Sequence, residues 1–257
     1  MKKTLLSIAG YDPSSGAGIL LDIRRFMHMG FHGAGIVTAL TAQNTQSIED
    51  IHVPPSSFLA TQYRQLKDDI EISGIKVGML GSRQNIPEIV RILGENAEKP
   101  LVIDPVIRSS SGYWLLEKAD ISAYSESIGP MASLLTPNIY EAEILSGLEI
   151  RNITDMKKAT EKIARTINAP CLIKGGHLNK TPTDVLYDGQ KHTLFANVKI
   201  ERTVHGTGCF LSSSILGYLV MGQTLQKACK LGIRDTAEAI KNAVPVGHGQ
   251  SIIQFDQ

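Results

Sequence analysis

Short apolar runs at residues 4–9, 35–40, 74–80, 101–104, 133–136 and 171–174 alternate with longer amphipathic stretches at 18–29, 56–70, 87–98, 140–146 and 155–168. Most of the runs are continuous rather than alternating, the pattern of strands buried on both faces. Strand, helix, strand repeated in this way predicts a parallel sheet with right-handed crossovers. The texture changes after Lys174. Val185-Leu186-Tyr187, the turn Asp188-Gly189 and residues 193–200 read as antiparallel strands around a hairpin, and residues 206–219 and 225–243 as two closing helices. No Pro/Ser-rich linker, low-complexity tract, charge block or repeat divides the chain, so residues 1–257 are read as a single α/β domain.

Charge excludes some partners. Twenty-six Lys and Arg against 25 Asp and Glu leave +1, too little to recruit nucleic acid or an anionic membrane. Cys171, Cys209 and Cys229 are odd in number and widely spaced, which supports neither a disulfide framework nor a C-x-x-C zinc site. A reducing cytoplasm is the expected setting. The opening Met1-Lys2-Lys3 and its apolar run faintly resemble a signal peptide, but the run breaks at Tyr11-Asp12-Pro13 and reads better as a first buried strand. No stretch approaches the roughly 20 apolar residues of a membrane helix.

In an open parallel sheet, ligands collect beyond the carboxyl ends of the strands. The predicted strands run into polar or glycine-containing segments at that edge. These are Gly10-Tyr11-Asp12-Pro13-Ser14-Ser15-Gly16-Ala17-Gly18, Thr41-Ala42-Gln43-Asn44, Met79-Leu80-Gly81, Asp104-Pro105-Val106, Thr136-Pro137-Asn138 and Lys174-Gly175-Gly176-His177. The first loop is neither G-x-G-x-x-G nor a Walker A loop, which argues against a dinucleotide-dependent oxidoreductase. Val204-His205-Gly206-Thr207-Gly208-Cys209 precedes an apolar helical run. Glycines at a helix start let N–H groups converge on phosphate, although the same segment can be a simple helix entry with a buried cysteine. A cysteine at the positive end of a helix is expected to have a lowered pKa and to act as a base. Asn138 and Glu141, three apart, can share a face and suit Mg²⁺, or can simply cap a helix.

Taken together, the segments resemble the ribokinase superfamily and, within it, the hydroxymethylpyrimidine/phosphomethylpyrimidine kinases of thiamin biosynthesis. The resemblance runs nearly end to end through residues 9–19, Thr38-Ala39-Leu40-Thr41-Ala42-Gln43-Asn44-Thr45, Lys76-Val77-Gly78-Met79-Leu80, Asp104-Pro105-Val106, Thr136-Pro137-Asn138, Lys174-Gly175-Gly176-His177 and His205-Gly206-Thr207-Gly208-Cys209. It implies a ribokinase-like three-layer α/β/α fold and two ATP-dependent steps at one site. The first phosphorylates the alcohol of 4-amino-5-hydroxymethyl-2-methylpyrimidine, and the second extends the monophosphate to the diphosphate. By the same resemblance, Asp22 and Gln43 would bond the aminopyrimidine and Met79 and Val106 would pack on its ring. Lys174 would meet the ATP phosphates, Gly206, Thr207 and Gly208 would form an anion hole, and Cys209 would stand at the base position. Asn138 and Glu141 would support Mg²⁺ through water, and a homodimer is expected.

General chemistry agrees with these roles. Phosphoryl transfer needs positioning and charge neutralisation more than covalent chemistry. The Gln43 amide offers a donor and an acceptor to an amino group beside a ring nitrogen. The chain departs from the family pattern at Leu20-Leu21, at Arg108-Ser109-Ser110-Ser111-Gly112 and at Val204. The alternatives are a pyridoxal kinase, a sugar kinase and a non-catalytic pyrimidine-binding protein. Ala42-Gln43-Asn44 and the serines at 109–111 argue against the first. The cysteine at 209 argues against the second, and joint retention of Lys174, Glu141 and Cys209 against the third.

Overall fold

Successive residues of a strand point to opposite faces, and in the computed structural model of the chain they meet two different helical layers. Residues 2–108, 112, 114–176 and 181–255 are described. Strands β1 (Thr4–Tyr11), β2 (His32–Gln43), β3 (Ile48–His52), β4 (Ile72–Val77), β5 (Leu101–Ile103), β6 (Leu134–Leu135), β7 (Cys171–Ile173), β8 (Thr183–Tyr187) and β9 (His192–Ala196) form one sheet in the order β3-β2-β1-β4-β5-β6-β7-β8-β9. From β2 through β7 every neighbour is parallel, whereas β3, β8 and β9 pair antiparallel.

The helices are α1 (Gly18–His28), α2 (Ser56–Lys67), α3 (Ile86–Gly94), α4 (Ile121–Ser127), α5 (Ile139–Ser146), α6 (Ile153–Ile167), α7 (Thr207–Val220) and α8 (Leu225–Lys241). Leu5, Val102, Leu134 and Leu172 pack with Phe26 of α1, Ile215 of α7 and Ile233 of α8. Leu6, Ile103, Leu135 and Ile173 pack on the other face with Leu59, Ile89, Tyr124, Ala142 and Ile163 of α2 to α6. The expected three-layer α/β/α arrangement is present. A two-stranded ribbon of β10 (Val204–His205) and β11 (Ser251–Ile252) completes the described strands.

Some boundaries differ from those expected. The fourth strand ends at Val77, so Gly78, Met79 and Leu80 leave the sheet; Gly81 then turns the chain with φ +77°. The second strand is longer than residues 35–40 and carries Gln43 to its end. β3 lacks an apolar run because it is an edge strand with mostly polar, exposed side chains. Chain order reverses between β1 and β4, which leaves a crevice beyond their carboxyl ends.

Candidate active site

Asp12, just past β1, builds one wall of the crevice. Its Oδ1 accepts from the Ser14 N–H at 2.8 Å and the Ser14 hydroxyl at 2.7 Å, and its Oδ2 from Ala17 N–H at 2.9 Å. His205 Nε2 lies 3.1 Å from the same Oδ2, tying this loop to the one before α7. Burial opposes ionisation of Asp12, but the bonds from His205 and Ser14 outweigh it and hold the carboxyl below its usual range. The two loops touch backbone to backbone. Gly206, at φ +78°, is so close to Gly16 that a Cβ there would lie 2.0 Å from the Gly16 carbonyl oxygen. Only glycine combines that conformation with that approach.

Gly206 is the residue before α7 and no side chain caps it, which leaves the first-turn N–H groups of this helix available to an anion. The charge facing them comes from three strand ends. Lys174, just after β7, donates to Asp104 Oδ1 at 2.8 Å, and Thr136 Oγ1 is 3.2 Å from the same oxygen. A Cβ on Gly208 would meet Lys174 Nζ at 3.1 Å and Asp104 Oδ2 at 3.3 Å, so the glycine loop lies directly against this ion pair. Burial disfavours the Lys174 charge, but Asp104 and Glu141 more than offset it and raise the pKa. The backbone here is held from behind. Gly175 N–H donates to the buried Asp184 at 2.8 Å, whose own carboxyl burial pushes up to about 6. His177, the last residue of that motif, lies outside the described residues, as do Ser109, Ser110 and Ser111.

Asn138 and Glu141 form a reciprocal capping box at the start of α5. Asn138 Oδ1 accepts from Glu141 N–H at 2.9 Å, and Glu141 Oε2 from Asn138 N–H at 2.8 Å. The capping alternative is therefore realised, and it fixes Glu141 beside the ion pair. Burial pushes the Glu141 carboxyl up to about 7; Lys174 opposes this and Asp104 adds to it. No group of three or more His, Cys, Asp or Glu with metal-holding geometry occurs among the described residues.

Two residues stand otherwise than expected. Asp22 is held inside the protein. It is fully buried on α1, where its carboxylate accepts from Ser7 Oγ at 2.6 Å, Lys76 Nζ at 2.8 Å and Ser213 Oγ at 2.8 Å. Oδ2 takes two of these donors and Oδ1 one. The Cys209 pKa is not lowered. Desolvation pushes it up to about 11; Lys76 and the Gly18 N–H pull it down, and Asp22 and Asp104 push it further up. Burial outweighs the helix terminus because a thiolate loses more by leaving water than one turn of dipole returns.

Met79 and Val106 fall in one cluster with Ala39, Leu115, Ile48 and Ile51. Gly10 gives Met79 its room, since a Cβ there would lie 2.8 Å from the Met79 sulfur. Gln43 ends β2, paired in register with Ile48 of that cluster; it is half-buried, and its side-chain amide has no hydrogen-bond partner among the described residues. Asp104 and Lys76 were missed as site residues. Each had a signal: a carboxylate at a strand end before proline, and a lysine between Ile75 and Val77 in a buried run.

Residues 12–254 match the phosphomethylpyrimidine kinase family. A hydroxymethylpyrimidine/phosphomethylpyrimidine kinase of Aquifex aeolicus is 38% identical over 252 residues, which span 97% of this chain and 99% of that protein. Among solved structures, phosphomethylpyrimidine kinase from Clostridium difficile 630 is 35% identical with a TM-score of 0.82, covering 93% of this chain and 100% of that one. The pyridoxal kinase of Staphylococcus aureus in complex with pyridoxal is 29% identical with a TM-score of 0.91, covering 99% and 93%. The ribokinase-like fold expected from the sequence is shared with these neighbours.

Proposed function

The chain belongs to the phosphomethylpyrimidine kinase family, and on that premise we propose that it phosphorylates 4-amino-5-hydroxymethyl-2-methylpyrimidine and then its monophosphate with ATP. The observation that carries this reading is the seating of Gly208 against the Lys174–Asp104 pair, at the uncapped start of α7. Lys174 meets the phosphates of ATP, and the N–H groups of the 206–208 loop receive the charge that grows on the transferring group. Met79 and Val106 pack on the pyrimidine ring, and the Gln43 amide bonds its amino edge. In the first step the substrate oxygen forms a bond to the γ-phosphorus while the bond from that phosphorus to the ADP oxygen breaks. The hydroxyl proton passes to the sulfur of Cys209 in its ionised form.

The residues fit a divalent cation. Burial disfavours the charge on Glu141 and Asp104 adds to that, so a cation placed there would favour the ionised carboxylate. Glu141, with the remaining lone pair of the Asn138 oxygen, would hold Mg²⁺ through water. Bound there, the ion would supply neutralisation of the phosphate charge. Three unpaired cysteines suit a cytoplasmic setting, and a homodimer is carried from the family resemblance alone.

The second reading is a pyridoxal kinase, favoured by the likeness to the S. aureus enzyme. Gln43 favours the aminopyrimidine. ADP release measured with the pyrimidine alcohol, its monophosphate and pyridoxal separates the two. We expect turnover on both pyrimidines above that on pyridoxal. No turnover on either pyrimidine would overturn the reading.

A further inference from the structure

Carbonyl oxygens lose their ladder partners where a chain leaves a sheet, and buried ones then need another donor. β4 ends at Val77, and Gly78 N–H still donates to the Ile8 carbonyl of β1 at 2.9 Å. Beyond it the buried residues Met79 and Leu80 pass Gly10 at the end of β1 and reach toward β2. Two side chains receive the freed carbonyls. The Thr38 hydroxyl on β2 donates to the Met79 carbonyl at 2.6 Å. Asn85, in the 3₁₀ turn Arg83–Asn85, donates from Nδ2 to the Leu80 carbonyl at 2.8 Å and to the Thr38 carbonyl at 3.3 Å. Both of those neighbours are carbonyl oxygens, which only accept, so the amide can face them in one orientation. Its own oxygen is left buried with no partner among the described residues. Gly81, at φ +77°, closes the turn: a Cβ there would lie 2.9 Å from both the Thr38 carbonyl oxygen and the Ala39 Cβ.

A buried acceptor without a partner costs stability, and an apolar side chain at residue 85 would avoid that cost. What the asparagine supplies in return is a pair of donors that clips residues 79–81 to β2. Met79 needs such support. Its side chain has three rotatable bonds and a soft thioether, and by itself it adapts to many shapes. It can stand as a wall at a fixed place only if its backbone is held. We propose that Thr38 and Asn85 are positioning residues for the substrate ring. By holding the Met79 turn they set where that wall stands relative to Val106, and so the fit of a flat six-membered aromatic alcohol. This rests on the reading of Met79 as a ring wall. Gln43 would read the edge of the ring, and the Thr38–Asn85 clip its thickness.

Equilibrium binding of the pyrimidine alcohol and of ATP, measured separately by calorimetry on the whole protein, tests this without reference to turnover. Thr38→Val keeps the shape of the side chain but leaves the Met79 carbonyl unpaired. It should weaken binding of the pyrimidine alcohol by about 2–12-fold, the factor that one net hydrogen bond carries, with ATP binding unchanged. Thr38→Ser keeps the hydroxyl and should bind as wild type does. Met79→Ala supplies the reference. It should weaken the pyrimidine alcohol by itself, and in that background Thr38→Val should weaken it no further, because the clip has no wall left to hold. Asn85→Leu should act in the same direction as Thr38→Val, and likewise only while Met79 is present. Simple structural damage predicts otherwise. It would weaken ATP as well, persist in the Met79→Ala background and gain nothing from serine. Any of those results overturns the proposal, as does wild-type affinity in Thr38→Val, and the ring-wall reading then still stands if Met79→Ala is weakened. If Met79→Ala binds the pyrimidine alcohol as wild type does, or wild type binds none, the ring-wall reading falls and the proposal with it. Should Asn85→Leu not fold, the Thr38 variants with and without Met79 decide it.

Discussion

Cys209 shows how one residue's chemistry depends on its surroundings. With the thiol pushed up to about 11, only a small ionised fraction exists at neutral pH. If that fraction accepts the substrate proton, kcat should climb about tenfold per pH unit from 7 to 9, as thiolate does below its pKa. A flat profile over that interval would remove Cys209 as the base. Cys209→Ala should lose turnover by about 10²–10⁴-fold while nucleotide binding, proposed to rest on backbone N–H groups and Lys174, should persist. Lys174→Ala should do the reverse at first, raising the ATP requirement, because the phosphates lose the cation held against Gly208. Unchanged ATP kinetics in that variant would make Lys174 an ordinary strand-end charge. The identities of these residues and their place after strands could be read from the chain. The direction of the Cys209 shift could not, since desolvation is contributed by elements far away in sequence.

At the scale of elements, two helix starts do different work. α5 begins with its capping box, and the box holds a carboxyl whose pKa is about 7 in place of the ordinary 4.5. A raised carboxyl pKa means that the folded protein keeps a proton the unfolded chain has already lost between those values. Stability should therefore fall as pH rises from about 4.5 to about 7. Glu141→Gln keeps a residue suited to the box but cannot ionise, so its melting temperature should decline less than that of wild type between pH 5 and pH 8. Parallel declines would place the Glu141 pKa near its ordinary value. α7 instead begins uncapped at Gly206. Gly206→Ala should cost at least about 1–2 kcal/mol for the left-handed backbone, and more for the contact with Gly16, as read from urea midpoints. Gly222→Ala is the control: φ is +85° there, but nothing lies within 4 Å. Equal losses would mean that the loop yields and the interlock is unimportant.

For the whole molecule, the two halves of the crevice are joined by the C-terminal segment. Gln250 N–H donates to the Thr45 carbonyl at 2.9 Å and Gly249 N–H to the Thr45 hydroxyl at 3.1 Å, while β11 pairs with β10 beside Gly206. The hairpin that carries Gln43 is thus tied to the loop expected to hold phosphate. Substrate choice belongs to this scale, because it depends on where the ring lies relative to the phosphate. Gln43→Met keeps approximate volume but removes donor and acceptor, leaving the amino edge of a bound pyrimidine unpaired at about 1–3 kcal/mol. The kcat/KM for the pyrimidine alcohol should then fall by about 5–150-fold, with a smaller loss or a gain on pyridoxal. Equal losses on both would confine Gln43 to supporting the strand end.

The apolar runs and the amphipathic stretches between them were enough to establish a parallel sheet covered on both faces, because burial on two sides leaves a local mark in every strand. The glycine segments at the strand ends marked the edge where a ligand would sit, for reasons equally local: turns and close approaches need small residues. Asp22 and Lys76 were different. Nothing within either neighbourhood says that an α1 carboxylate will meet a β4 lysine and hydroxyls from β1 and α7. Tertiary structure alone decided that pairing, and with it the burial of Asp22 and the balance of charges around Cys209. Coulomb and desolvation energies depend on distance in space, and packing, not chain order, sets those distances.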